Sequence, residues 1–192
     1  MLQRIAISGS AGVGKSTLAR ALASELGVPY LPEGMREYLQ SGGPDLHQLG
    51  HDGIRALVLR LWEERQEAEA RAIRGFVADR SSYDFAAFWL FYRFAEPADP
   101  DTAAYLAATM RPDRYDLVVL APWGRLPLEA DGVRSTNPWV QLHTQLLIEG
   151  MVRRCAGAVH DLRALALVDR VAEVKARLAL LPPGSSPAEG GA

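Results

Sequence analysis

The chain of 192 residues carries 21 Lys and Arg against 23 Asp and Glu, which gives a formal net charge of −2. Its 48% hydrophobic and 23% charged residues exclude an intrinsically disordered chain, and the near-neutral charge argues against a general nucleic-acid coat, so no nucleic-acid partner is expected. The single cysteine, Cys155, excludes an internal disulfide framework.

Short apolar runs alternate with helical patterns along the chain. In chain order, the sequence predicts a strand at 4–8, a helix at 16–26, a strand at 28–31, helices at 33–40 and 53–74, a strand at 76–78, a helix at 83–94, a helix from Pro100, a strand at 115–121, a helix at 138–154, a strand at 165–168 and a helix at 170–180. Asp99-Pro100 and Asn137-Pro138 each supply a helix cap followed by proline. Strands that alternate with helices predict a parallel sheet covered on both faces.

We expect a single domain over residues 1–181 and a flexible tail at 182–192, because the tail offers little apolar surface to bury. Residues 122–136 contain prolines and glycines and are typical of an irregular connection. No run of about 18 apolar residues is present, and the first residues do not form a signal-peptide pattern. The sequence therefore predicts a cytoplasmic protein with no membrane partner.

Residues 9–16 match the pattern G-x-x-x-x-G-K-[ST] at every position. Its glycines let backbone N–H groups turn inward as an anion nest, and the positive end of the following helix adds to the attraction. Lys15 can bridge the β- and γ-phosphates of a nucleotide, and the Ser16 hydroxyl can take one position on Mg²⁺. The predicted nucleotide-binding residues are Gly9, Ser10, Ala11, Gly12, Val13, Gly14, Lys15, Ser16 and Thr17.

Four motifs in chain order carry a resemblance to a known family. They are residues 9–16, Glu33-Gly34-Met35-Arg36-Glu37-Tyr38-Leu39, Asp79-Arg80-Ser81 and Asp131-Gly132-Val133-Arg134. Together they resemble P-loop kinases of the nucleoside and nucleotide kinase group, and more narrowly the AAA-type ATPase/kinase domains related to nicotinamide ribonucleoside kinases. The resemblance implies an α/β three-layer sandwich with a five-stranded parallel sheet, a mobile lid, and transfer of the γ-phosphoryl group of ATP to a small-molecule acceptor with Mg²⁺ as cofactor.

Asp79 and Arg80 follow the third predicted strand, at the edge where ligands of open α/β sheets gather. A carboxylate there can hold the Mg²⁺ shell or accept a proton from an acceptor hydroxyl, so Asp79 is a candidate catalytic and metal-binding residue. The alternative is that Asp79 only caps the following helix. Arg80 can bind an anionic group of the substrate, and its alternative is a surface ion pair.

Glu33 and Arg36 lie one helical turn apart after the second predicted strand. The resemblance implies that acidic and basic residues of this kind line the acceptor pocket. There Glu33 can bind a sugar hydroxyl or act as the catalytic base instead of Asp79. The alternative is an exposed pair on a helix, and the sequence does not assign the base between the two carboxylates.

The resemblance identifies residues 122–136 as the lid. Phosphoryl transfer spreads negative charge over the equatorial oxygens, and a closing arginine can stabilise that charge. Arg134 is the first candidate for this catalytic role, and Arg125 is a second, substrate-binding candidate. Gln141 and His143 stand where a further lid arginine would be expected.

The aromatic residues of the helix at 83–94 are predicted to pack mainly in the core. The alternative is that one or two of these rings, or Trp123, stack on a ring of the acceptor.

Two other functional hypotheses remain: a P-loop ATPase or nucleotide switch acting on a protein partner, and a binding module without turnover. An Asn-Lys-x-Asp guanine signature is missing, and Asp79 is followed by Arg80 rather than glutamate, so the kinase is favoured. The acceptor, the choice between ATP and another nucleoside triphosphate, and the choice between monomer and homodimer stay open.

Overall fold

Strands and helices alternate along the chain. The computed structural model describes residues 3–41, 44, 46–127 and 137–181. The elements are β1 (Arg4–Ser8), α1 (Lys15–Leu26), β2 (Tyr30–Leu31), α2 (Met35–Gln40), α3 (Leu46–Arg71), β3 (Phe76–Asp79), α4 (Ser82–Phe91), α5 (Pro100–Thr109), β4 (Leu117–Leu120), α6 (Pro138–Cys155), β5 (Val159–Asp161) and α7 (Leu167–Ala179). α5 and α6 begin at the two predicted cap-and-proline pairs, where Asp99 and Asn137 each accept a backbone hydrogen bond.

The five strands form one parallel sheet in the order β2-β3-β1-β4-β5. β1 lies at the centre, where Ile7 pairs with Asp79 of β3 and Ser8 pairs with Leu120 of β4. Because the strands are parallel, the carboxyl ends of β1, β3 and β4 meet at one edge of the sheet. The segment that follows β1 and the carboxylate that ends β3 are therefore neighbours.

Apolar side chains of β1 alternate between the two faces of the sheet. Ile5 and Ile7 belong to a core cluster with residues of α1 and α7, and Ala6 belongs to a second cluster with residues of α4 and α6. All three strand residues are fully buried, as expected for a central parallel strand. The predicted α/β three-layer sandwich with a five-stranded parallel sheet is confirmed.

A third cluster contains four aromatic residues of the predicted helix at 83–94, namely Phe85, Trp89, Tyr92 and Phe94. Trp89 of α4 stacks on Tyr105 of α5 with ring centroids 4.2 Å apart, and Trp62 of α3 packs against Phe85 of α4. The indole N–H of Trp89 donates to the Thr102 hydroxyl. These rings therefore pack as core between α3, α4 and α5.

The predicted position of the fifth strand is wrong. β5 is Val159–Asp161, whereas residues 165–168 form the connection to α7 and its first residues. Leu165, Leu167 and Val168 are 51%, 41% and 73% exposed, so this apolar run does not belong to the sheet. The true edge strand carries His160 and an exposed aspartate, and it lacks the continuous apolar run by which a buried parallel strand is recognised.

The third helical segment, Leu46–Arg71, consists of two helices that meet at a kink, and the predicted helix from residue 53 corresponds to the part after Gly50. Gly50 has φ of 62° and kinks the segment, and this break explains why the pattern before Gly53 did not indicate a helix. Within the parts of the chain that the structure describes, no helix is long and apolar enough to cross a lipid bilayer.

Several predictions lie outside the described residues. They concern the tail at 182–192 and residues 128–136 of the predicted lid, which include Arg134. The Arg36 side chain also lies outside the described part. The lid and the flexible tail therefore stay predictions.

A substitution at Gly75, directly before β3, tests how closely the backbone packs where the chain enters the sheet. Gly75 has φ of +98°, and an added Cβ would lie 2.6 Å from the Gln3 carbonyl oxygen. We expect Gly75→Ala to lower the free energy of unfolding by about 3 kcal/mol or more, because backbone strain and a backbone clash add. The control is Gly27→Ala, which has φ of +65° and open space around the added carbon, so only the left-handed conformation costs energy, about 1 kcal/mol. Equal losses in urea unfolding would contradict the clash.

Candidate active site

The P-loop, residues 9–16, connects the buried end of β1 to α1. Gly9 and Gly14 have φ of 140° and 78°, conformations that other residues adopt only with strain. An added Cβ at Gly9 would also lie 2.9 Å from the carbonyl oxygen of Ala121, so the start of the loop touches the end of β4. The glycine pattern thus serves both backbone curvature and close packing.

Two side chains from other helices hold the first peptide groups of the loop. Gln145 of α6 accepts a hydrogen bond from the Ser10 N–H at 2.7 Å, and its own amide nitrogen donates to Ala121 O and to Glu149. Asp84 of α4 accepts from the Gly9 N–H at 3.3 Å. Neither residue is predicted from the sequence, because both lie far from the P-loop along the chain. The only local indication of each is a polar residue on the buried face of a helix.

Lys15 is buried beneath the loop. Its ammonium donates to Ser10 O at 2.6 Å. Burial, together with repulsion from Arg80, lowers the pKa of Lys15 to about 8, although Asp79, Glu33 and Asp84 oppose the shift. The predicted phosphate-binding lysine therefore lies among three carboxylates and one guanidinium.

Asp79 ends β3 and is 2% exposed. The Tyr30 hydroxyl donates to Oδ2 at 3.4 Å, and burial together with the Asp79 charge raises the pKa of Tyr30 to about 12. Oδ1 is buried and has no hydrogen-bond partner within the described part of the chain. Such an oxygen fits a hard cation, and Ser16 lines the same small cavity, so these two residues could hold Mg²⁺.

The alternative that Asp79 caps the next helix is wrong. α4 begins at Ser82 with Ser81 as its cap, and the backbone N–H and hydroxyl of Ser81 both donate to Asp84 Oδ2. Asp79 therefore does not cap α4, and its carboxylate can take part in binding or proton transfer at the edge of the sheet.

Arg80 is the centre of a buried polar network. Its Nε donates to Glu33 at 2.6 Å, and its Nη1 donates to Asp84 and to Gly9 O. Burial opposes its charge, but Glu33, Asp84 and Asp79 more than offset that effect and raise the pKa of Arg80 above its usual value. The alternative of a surface ion pair is wrong, because Arg80 is only 3% exposed.

Arg65 of α3 supports this network and was not predicted. Its guanidinium donates to Asp79 O and Arg80 O, both at 2.9 Å, and to Pro32 O. Arg80 has φ of 76°, which is strained for a side-chain-bearing residue, and the bond to its carbonyl holds that conformation. In the sequence, the indication of a buried role for Arg65 is its position one helical turn after Leu61, on the apolar stripe of α3.

The remaining predicted site residues occupy several environments. Glu33 is nearly buried through its pair with Arg80, and Thr17 and Arg125 are exposed. Trp123 is half-buried and lines a cavity of about 100 Å³ beside the P-loop residues Ala11, Gly12 and Val13. The structure therefore brings Lys15, Ser16, Glu33, Asp79 and Arg80 together, while it leaves Arg125 at the surface.

A family described as an AAA domain has a model that matches residues 4–170. The chain belongs to this AAA-domain family. The match runs from β1 into the first turn of α7, so it includes the P-loop and the end of β3. Comparison with curated protein sequences gives no match.

Solved kinase structures share the fold. The NadR protein in complex with NR has a TM-score of 0.69 at 17% identity over 98% of this chain and 54% of that one, so the chain spans about half its length. Shikimate kinase from Acinetobacter baumannii in complex with shikimate has a TM-score of 0.63 at 18% identity, covering 93% and 94% of the two chains. Deoxyadenosine kinase from M. mycoides has a TM-score of 0.65 at 15% identity, covering 92% and 98%. These similarities show a P-loop kinase fold.

The lowered pKa of Lys15 has a measurable consequence for phosphate binding. Below pH 8 the side chain is charged and attracts polyphosphate, and above pH 8 the free protein loses this charge. We expect the Kd for MgATP to rise between pH 8 and pH 9.5 by up to tenfold per pH unit, measured by calorimetric titration. Tyr30 does not interfere, because its pKa is about 12.

The control variant is Lys15→Met, which should bind more weakly and show no such rise. A wild-type Kd that stays constant from pH 7 to pH 9.5 would contradict the lowered pKa.

Proposed function

We propose that this protein is a kinase that transfers the γ-phosphoryl group of MgATP to a hydroxyl or phosphate of a small molecule, such as a nucleoside or nucleotide. The observation that carries the proposal is the buried, unpartnered Oδ1 of Asp79 in a cavity shared with Ser16, beside Lys15. A phosphate-binding loop alone suits any nucleotide-binding protein. A carboxylate beside the loop, with one oxygen that has no partner among the described residues, adds the group that a transfer reaction needs.

The P-loop would hold the nucleotide through backbone N–H groups and Lys15. Ser16 and Asp79 would hold Mg²⁺, which neutralises charge on the phosphates during transfer. The lysine ammonium would lie close to the β- and γ-phosphates, where negative charge develops. A MgATP-dependent reaction would also use the nucleotide pool of the cytoplasm, the location expected from the sequence.

Of the three carboxylates that line the cavity, Asp79 and Glu33 are the ones shielded from solvent, and they differ in their partners. Glu33 already accepts a charged hydrogen bond from Arg80, so its carboxylate is oriented and partly neutralised. Asp79 keeps one buried oxygen open. We therefore assign proton acceptance or metal binding to Asp79 and orientation of the acceptor to Glu33, with Arg36 and Arg80 as further residues on the acceptor side.

Arginines of the lid complete the proposed machinery. Arg134 would stabilise the transferring phosphoryl group after closure, and Arg125, which is exposed next to the cavity at the P-loop, would assist in binding substrate. An exposed arginine has the freedom that closure over a substrate requires.

An acceptor panel tests the reaction. Purified protein with MgATP is offered nucleosides, nucleotides, sugars and amino alcohols, and ADP and phosphorylated products are measured. We expect ADP formation that depends on one acceptor class. ADP release that is the same with every acceptor, or that rises only with a protein partner, would favour an ATPase or a nucleotide switch instead.

Asp79→Asn tests the assigned carboxylate. We expect kcat to fall by about 10²–10⁴-fold, because a proton acceptor or metal ligand is lost while the shape is kept. The matched control is Glu37→Gln, since Glu37 lines the same cavity but is exposed; its kcat should change less than about threefold. If Asp79→Asn changed KM alone, Asp79 would be a binding residue and not a catalytic one.

A further inference from the structure

Arg170, the fourth residue of α7, lies against the P-loop. It is 2% exposed although it carries a charge. Its Nη1 donates to Val13 O at 3.0 Å, and its Nε donates to Ala164 O at 3.1 Å. The side chain therefore links the connection between β5 and α7 to the middle of the phosphate loop.

The bond to Val13 O also sets the direction of the next N–H group. The peptide between Val13 and Gly14 is trans, so its C=O and N–H point in opposite directions. Because the carbonyl points to Arg170 of α7, the Gly14 N–H points away from α7. A cation at the carbonyl oxygen also polarises the peptide group and strengthens its N–H as a donor.

The Arg170 guanidinium lies so close to Gly14 that a larger residue would not fit there. An added Cβ at Gly14 would lie 2.7 Å from Arg170 Nη1 and 3.0 Å from a methyl carbon of Leu126. The guanidinium thus packs directly against the loop backbone at Gly14.

The charge of Arg170 is not neutralised in the way that the charge of Arg80 is. Among the residues that the structure describes, Glu173 is the one carboxylate that favours the charged form of Arg170. Its oxygens accept from His160 and from backbone N–H groups at 163 and 164. Burial lowers the pKa of Arg170, and Nη2 is buried without a hydrogen-bond partner in the described residues. A buried cation of this kind destabilises the unliganded protein, and an anion inside the loop would offset that cost.

We propose that Arg170 is a positioning residue for polyphosphate binding: it orients the Val13–Gly14 peptide so that the Gly14 N–H donates into the nest, and it places an unpaired positive charge behind that nest. The proposal rests on the proposed function, since it requires that the P-loop binds nucleotide phosphates. The ligand class is a polyphosphate anion, whatever base or sugar it carries.

The test measures the Kd of MgATP and of inorganic tripolyphosphate with Mg²⁺ by titration calorimetry. Arg170→Met should raise both Kd values by a similar factor, about 10- to 100-fold, because a charge-assisted contact behind the phosphates is lost. Arg170→Lys keeps the charge and should recover part of the affinity. The matched control, Arg163→Met, removes an exposed arginine of the same connection and should change neither Kd by more than about twofold.

The outcomes separate the two proposals. If the wild-type protein binds neither ligand, the proposed function fails; if it binds both and Arg170→Met binds them equally well, the role of Arg170 is overturned. A loss for ATP without a loss for tripolyphosphate would also overturn it, since Arg170 would then serve the nucleoside. If Arg170→Met does not fold, Arg170→Lys is compared with Arg170→Gln: at least fivefold tighter binding by the lysine variant supports the charge, and equal binding overturns it.

Discussion

The candidate site depends on a buried group of charges at the carboxyl end of the sheet. Arg80 pairs with Glu33 and Asp84, and Lys15 lies beside them and Asp79. Pairing and hydrogen bonding stabilise buried ions, because loss of hydration costs several kcal/mol for each ion. With the buried Arg65, which donates to Asp79 O and Arg80 O, the group brings three carboxylates together with three cations. Among the described residues, Asp79 Oδ1 has no hydrogen-bond partner, and it is the oxygen that suits a divalent cation.

The same group determines the local backbone. Arg80 has a φ of 76°, a conformation that costs a residue with a side chain about 1–3 kcal/mol. Arg65 holds both carbonyls around this point, while the Arg80 side chain reaches the carbonyl of Gly9. The strained residue is therefore fixed from two directions, and it connects the end of β3 to the start of the P-loop. Strain of this kind is stable only where the surrounding contacts determine a single conformation.

The parts of the fold and site that the sequence predicted are those with local signals. The glycine spacing and Lys15 define the P-loop within eight residues, and an apolar run that ends in Asp79 indicates a buried strand with a carboxylate at its tip. Gln145 and Arg170 could not be predicted, because their partners lie 135 and 157 positions away along the chain. β5 was misplaced for a related reason: a short edge strand needs little apolar surface, whereas the exposed run at 165–168 imitates a buried one.

The shape of the P-loop is a property of the whole sandwich. Asp84 accepts from Gly9, Gln145 accepts from Ser10, and Arg170 donates to Val13. These side chains come from α4 and α6 on one face of the sheet and from α7 on the other. Glycine by itself supplies conformational freedom, which an ordered anion site must lose. Because three anchors remove that freedom when the protein folds, little of the ordering cost remains to oppose ligand binding. The motif therefore permits the nest, and the packing of distant helices builds it.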